Sequence, residues 1–261
     1  MTYTLIGTGN MAWFLSKRLY EKGAKCTGVY GRNTEAATQL ADSVHTNIVA
    51  SLHQIPETDF CIIAVTDRSI SEISTQLHLK ETVVVHTAGS IPLDVLVQTH
   101  KAVIWPVYSI NKNNLPTHRN IPMVYEHSSE KAKQTVTQLA YTVSDMVQEV
   151  NWQQRQWLHL CAVIGNNFTN HLMTLCEKIA QSQNLPFSLI RPILQQTFET
   201  VTTIEPSLLQ TGPAIRNDKE TMQKHLHLLQ QQTVLQELYR SLSASIEDLY
   251  KTTNETKHPN C

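Results

Sequence analysis

The stretch that most limits how this chain can fold is "LIGTGNMA", residues 5–12. An apolar run from Tyr3 to Ile6 leads into Gly7. Beyond it, Met11, Phe14, Leu15 and Leu19 recur at helical spacing between Asn10 and Tyr20. The order is strand, glycine turn, helix, with Gly7, Gly9 and Ala12 in the places of a GxGxxG/A fingerprint. Each small residue has a task. Gly7 permits a tight turn, Gly9 lets backbone approach a pyrophosphate, and Ala12 lets helix and strand pack closely. The helix start then offers free N–H groups to phosphate through Gly7, Thr8, Gly9, Asn10 and Met11.

A second strand, "KCTGVYGR" (25–32), and a helix opening at Thr34 as N-cap complete a βαβ unit around that turn. Such a context turns a weak glycine pattern into a dinucleotide-binding prediction. An NAD-selective site places an acid at the end of the second strand; this chain has "GRNT". Arg32 can pair with a 2′-phosphate, and Asn33 and Thr34 add short polar groups beside it, so NADP(H) is favoured. The alternative is a solvated arginine at a strand end. Val65, Thr66 and Asp67, in "AVTDRS" (64–69), fall on the same carboxyl edge and are expected near the ribose and nicotinamide.

Continuous apolar runs at 59–65 and 82–90 suit strands buried on both faces of a parallel sheet. Residues 102–110, 122–126 and 146–150 are further strand candidates, with a helix from Ser128 to Tyr141. Strands alternating with helices predict a doubly wound α/β sheet over 1–150. From Asn151 no strand pattern remains. Helical periodicity runs through 154–183, then Ser188–Ile204, about Asp218–Gln231 and Thr233–Tyr250. The expected architecture is therefore an α/β domain, 1–150, followed by an all-helical domain, 151–261.

Composition narrows the function. The chain of 261 residues carries a formal net charge of −1, which argues against a nucleic-acid partner. No apolar run is long enough to span a membrane, and the first strand begins at Thr2 without signal-peptide regions, so a cytoplasmic protein is expected. Cys26, Cys61, Cys161, Cys176 and Cys261 form no CxxC pair and read as reduced thiols. Among 12 histidines, His225 and His227 stand two apart and point to different sides of a helix, so no metal site is predicted.

Hydride transfer needs a proton donor and groups that fix the substrate. In "HTAGS", His86 could donate a proton and Ser90 with Gly89 could hold a carboxylate; otherwise His86 is a structural strand-end histidine. His159, Asn166 and Asn170 fall at offsets of seven and four, on one helical face. Asparagines inside a helix suggest side chains with bonding work; Asn166, Asn167 and Asn170 either face substrate or cross-link helices and hold water. In "TGPAIRND" (211–218), Arg216 either clamps a substrate carboxylate or closes a salt bridge with Asp218 or a partner subunit, and Asp218 or Asn217 caps the next helix. Trp105, Pro106 and Tyr108 read as core or as an apolar substrate wall.

"LIGTGNMA", "GRNT", "AVTDRSI" and "HTAGSIPLDVL", in that order, resemble the β-hydroxyacid dehydrogenase, ketopantoate reductase and pyrroline-5-carboxylate reductase superfamily. "AVIGNNFTNHL" and "TGPAIRNDKETMQKHL" look like bacterial NADP oxidoreductases that join a Rossmann-like domain to a helical domain of unknown function. The resemblance implies an NADP-dependent oxidoreductase acting on a small carbonyl, hydroxy-acid or imine substrate, dimeric through its helices. Better-known members present a lysine one turn before an asparagine on the first long helix; here Ala162 and Val163 precede Asn166 and Asn167. The resemblance therefore supplies no proton donor, and His159 is the substitute. Two alternatives stand beside an NADP reductase: a non-catalytic NADP(H) sensor or scaffold, and an enzyme using a deazaflavin.

Overall fold

The computed structural model describes residues 1–255; Cys261 lies outside them. Seven strands form one sheet in the order β2-β1-β3-β4-β5-β6-β7: β1 (Thr2–Ile6), β2 (Lys25–Tyr30), β3 (Phe60–Ile63), β4 (Val83–His86), β5 (Lys101–Pro106), β6 (Met123–His127) and β7 (Val147–Glu149). The β5–β6 pair is antiparallel and the others are parallel. Strands β3 and β4 are buried along their whole length, which is why they read as unbroken apolar runs. Helices α1 (Asn10–Glu21), α2 (Thr34–Ser43), α3 (Ile70–Gln76) and α4 (Glu130–Val143) accompany the sheet.

Two buried clusters fill the core. One runs from Tyr3 and Leu5 through Phe14 and Leu15 to Val136 and Leu139; the other gathers Ile6, Ile63, Ile70, Val84 and Val103. Residues alternate between the clusters along β1, as the two-residue period of a strand requires. The chain leaves β1 toward β2 on one side and returns to β3 on the other. The carboxyl end of β1 is thus a topological switch point, where doubly wound sheets bind ligands.

From residue 152 on the secondary structure is helical: α5 (Trp152–Ala162), α6 (Thr169–Ser182), α7 (Arg191–Val201), α8 (Lys219–Leu228) and α9 (Thr233–Glu255). Between α5 and α6 the backbone opens into a π-helical turn, Val163–Phe168, across which the Thr169 hydroxyl donates to the Ile164 carbonyl five residues back. Sequence periodicity predicts an uninterrupted helix here; the turn carries Gly165, Asn166 and Asn167, whose weak helix preference permits the wider winding.

Contacts divide the chain into two compact units, Met1–Met173 and the residues from Thr174 on. The first contains the sheet, α5 and the π-helical turn. In the second, Asp218 caps α8 by accepting from the Thr221 N–H at 3.0 Å, and His225 Nδ1 bonds the Tyr239 hydroxyl at 2.9 Å. Arg216 is exposed, and its charge adds to the Thr221 hydrogen bonds that hold the Asp218 carboxyl below the usual range.

Candidate functional site

At the switch point the chain folds a cleft of about 420 Å³, lined on one wall by Ile6–Met11 and on the others by Tyr30–Asn33, Ala64–Thr66, Ser69 and Ile73. Gly7 is fixed by sterics twice over. Its φ is +119°, and a Cβ there would lie 2.1 Å from the Ala64 carbonyl oxygen. Its own N–H donates to the Tyr30 carbonyl at 2.8 Å, joining the turn to the end of β2. A Cβ on Gly9 would meet nothing within 4 Å, so the cleft is open above it. Gly9 caps α1 without a side-chain hydrogen bond, leaving the first-turn N–H groups for a ligand.

Arg32 stands on the rim, exposed, and forms no hydrogen bond or ion pair among the described residues. Asn33, not Thr34, is the N-cap of α2: its Oδ1 accepts from the Ala36 N–H at 2.9 Å. Thr34 is absent from the cleft lining, as is Asp67. The Asp67 carboxylate instead accepts from the Ser90 hydroxyl, tying the segment after β3 to the turn after β4. Tyr30, Gly31, Ser69 and Ile73 line the cleft without having been singled out in the sequence; as near neighbours of the motif residues they carry no separate signal.

A second cavity, about 610 Å³, lies at the start of the helical region and is lined by Trp105, Val107–Ser109, His159, Ala162, Val163 and Gly165–Asn167. Here the structure brings His159 and Asn166 together, adds Asn167, and leaves Asn170 off the lining. The π-helical turn is the reason: extra backbone per turn displaces α-helical spacing, and two consecutive asparagines reach one cavity. The His159 ring lies tilted against Trp105, centroids 5.5 Å apart. Pro106 is buried in the sheet, whereas Trp105 and Tyr108 form the wall.

His86 requires a correction. It is 0% exposed at the end of β4, with Nδ1 accepting from the Ala88 N–H at 3.2 Å and Nε2 facing the Pro92 carbonyl without a well-formed bond. Burial, aided by the Arg155 charge, pulls its pKa down to about 3. At neutral pH the imidazole stays neutral and its one proton, on Nε2, is turned to the Pro92 carbonyl inside the core, where a substrate does not reach it; this geometry supports the strand-end structural reading rather than the proton-donor one.

The sequence reading missed Arg155. On α5, this side chain is fully buried, yet it stands in the polar run "NWQQRQ", which reads as an exposed helix start. Its Nη1 donates to the carbonyls of Ala88, Gly89 and Ile91 at 3.0, 3.1 and 2.6 Å, and its Nη2 to Glu126 Oε2 at 2.8 Å. Trp152 stacks on the guanidinium at 4.7 Å. These partners are between 29 and 67 residues away in sequence, so no local pattern announces them.

Comparison with known proteins agrees with this geometry. Residues 2–89 match the family model described as NADP oxidoreductase coenzyme F420-dependent, and residues 121–246 match a domain of unknown function, DUF2520. A crystal structure from Bacteroides fragilis, described as an NADP oxidoreductase, is 35% identical, with 95% of this chain and 98% of that one covered and a TM-score of 0.84. The chain belongs to this family of NADP oxidoreductases. Protein TM1727 of Thermotoga maritima is 20% identical over 97% of this chain and 99% of its own, with a TM-score of 0.76. An imine reductase of Myxococcus stipitatus, solved with NADP+, shares the fold at 14% identity, 99% and 96% coverage and a TM-score of 0.63. No curated protein matches the sequence significantly.

Proposed function

We propose that the chain transfers a hydride between NADP(H) and a small carbonyl, hydroxy-acid or imine substrate. The observation that carries this reading is the cleft at the switch point, with Arg32 on its rim where an acid would signal NAD. The residues present fit the nucleotide. Gly7–Met11 offer free N–H groups to a pyrophosphate, Arg32 and Asn33 flank the 2′-phosphate position, and Val65 and Thr66 border the ribose. When bound, the nicotinamide supplies or accepts the hydride.

In functional terms, residues 1–150 hold the nucleotide, and the chain from 151 on supplies the substrate side and a surface for self-association. His159 is the proton donor of this scheme, held against Trp105, and Asn166 and Asn167 orient the substrate in the second cavity. The fold shared with an imine reductase supports an imine as one substrate class. Nothing in the geometry favours the sensor or scaffold reading.

Self-association as a homodimer is supported by the second unit. Its buried residues among those described are Ala180, Ala214 and Ser243, whereas Leu189, Leu208, Leu228 and Val234 are each more than two-thirds exposed. Helices with so much apolar surface in water need a partner, and a second copy is the simplest one. Among the described residues no helix is long and apolar enough to cross a membrane.

The test is NADPH oxidation by the purified protein against a panel of oxo acids and cyclic imines, alongside titration of NADPH and NADH. Turnover that is lost in His159→Gln, with NADPH affinity kept, is the expected result. Arg32→Ala should weaken NADPH binding more than NADH binding by about 1–3 kcal/mol, the range of a charge-assisted pair. Tight NADPH binding without turnover of any panel member would overturn the enzymatic reading. The family description also names coenzyme F420; the absorption spectrum of the protein as purified distinguishes a deazaflavin carrier from a nicotinamide.

A further inference from the structure

The turn Ala88–Ile91 follows β4 and is held from two sides. From beneath, the buried Arg155 guanidinium takes the carbonyls of Ala88, Gly89 and Ile91. From the flank, Gly89 is pressed so closely that a Cβ would lie 2.6 Å from Trp105 Cε2 and 2.9 Å from His159 Cδ2. The Ser90 hydroxyl adds a third tether, to the Asp67 carboxylate.

This arrangement fixes where the peptide donors point. The chain contains no cis peptide bond among the described residues, and in a trans unit the N–H lies opposite the carbonyl of the preceding residue. With the Ala88 and Gly89 carbonyls drawn onto Arg155, the N–H groups of Gly89 and Ser90 face away from it. Neither has an acceptor among the described residues, although Gly89 is buried and the neighbouring Ala88 N–H is satisfied by His86. A buried residue with an unused N–H is rare and calls for a ligand.

Sheet order says which ligand atom arrives there. The nucleotide cleft runs from Arg32, after β2, across the glycine turn of β1 to Thr66 and Ser69, after β3. The next strand outward is β4, and its turn is 88–91. A dinucleotide with its 2′-phosphate at Arg32 therefore brings its opposite end to Gly89 and Ser90. We propose that Arg155 is a positioning residue that presents the Gly89 and Ser90 N–H groups to the carboxamide oxygen of the nicotinamide. Two convergent N–H donors suit a carbonyl oxygen, and holding that oxygen sets the rotation of the ring beside His159 and Trp105. The proposal rests on the NADP(H) reading above, and it reassigns Ser90 from the substrate to the cofactor.

The experiment compares two probes, NADPH and 2′-phospho-ADP-ribose, which lacks the nicotinamide, by calorimetric titration of the full chain. Two variants are used: Arg155→Lys, which cannot serve three carbonyls and a carboxylate at once, and a chain whose Ser90 peptide N–H is replaced by an ester oxygen. Each should bind NADPH about tenfold more weakly and 2′-phospho-ADP-ribose within about twofold of the unaltered chain. Equal weakening of both probes, or of neither, would overturn the proposal. Should Arg155→Lys fail to fold, the ester variant decides, because it removes one donor and leaves every side chain in place. If the unaltered chain binds neither probe, the NADP(H) reading itself fails and this proposal falls with it.

Discussion

The sheet region and the helical region solve the problem of burying apolar surface in opposite ways. Through residue 150 the chain closes its own core: Leu5, Ile6, Phe14, Leu15, Ile62, Ile63 and Val85 are all at most 1% exposed. In the unit from Thr174 on, large apolar side chains stay in water, with Val234 80% and Leu228 76% exposed. A doubly wound sheet covers both faces with its own crossover helices, whereas single amphipathic helices need apolar faces supplied by something else. The sheet region is therefore self-sufficient in burying its apolar surface, and the unit from Thr174 on is not.

Gly7→Ala would break the self-sufficient half most severely. It adds a Cβ 2.1 Å from the Ala64 oxygen at a φ that L-residues avoid, at a combined cost of roughly 4 kcal/mol. A lowered urea midpoint together with lost NADPH binding is the expected outcome, and a wild-type midpoint would show that the turn has slack the structure does not contain. In the other half, the proposed homodimer predicts that Leu228→Asp with Val234→Asp weakens self-association by about 2–4 kcal/mol, as loss of interface anchors does. Sedimentation equilibrium measures it; unchanged association would place the contact elsewhere.

The pH dependence of stability separates the halves again, because His86 lies in the sheet core. An unfolded histidine takes a proton near pH 6.5, but folded His86 does so only near pH 3. Between those values the unfolded chain binds more protons. The stability that neutral His86 contributes is thus complete above about pH 6.5 and falls with pH toward 3, by up to about 1.4 kcal/mol per pH unit. Urea titrations from neutral pH downward should show this slope, flattened in His86→Gln; an identical slope in both chains would assign it to other groups. The smallest expected effect is at Gly165, where a Cβ would meet nothing within 4 Å. Gly165→Ala should stabilise the helical segment by about 0.5–1 kcal/mol in thermal melts. Destabilisation instead would mean that the π-helical turn needs glycine.

Most of the fold was legible because its signals are local. Within "DFCIIAV" and "TVVVHTAGS" the segments Phe60–Ile63 and Val83–Val85 are unbroken apolar stretches because β3 and β4 are covered on both faces, and the strand–glycine–helix order at residues 3–20 is written in consecutive residues. Boundaries moved by a few positions, and Asn33 took the cap expected of Thr34. The second cavity was only partly legible. His159 and Asn166 do line one cavity, but the π-helical turn, which α-helical spacing cannot anticipate, brought in Asn167 and left Asn170 off the lining.

What the sequence by itself determined is the cleft proposed for the nucleotide: Gly7, Gly9, Arg32 and the strand that precedes them are close in the chain, and at Gly7, with φ +119°, the stereochemistry of the tight turn leaves glycine little substitute. What only the tertiary structure decided is the state of the charged and titratable groups around it. Arg155 stands in a polar run of the sequence and His86 could be read as a proton donor or as a structural strand-end histidine, and both are fully buried. Burial depends on segments such as Ala88–Ile91 and Glu126, which fold back on Arg155 across long stretches of chain, and desolvation there sets which groups carry protons and which backbone donors are free.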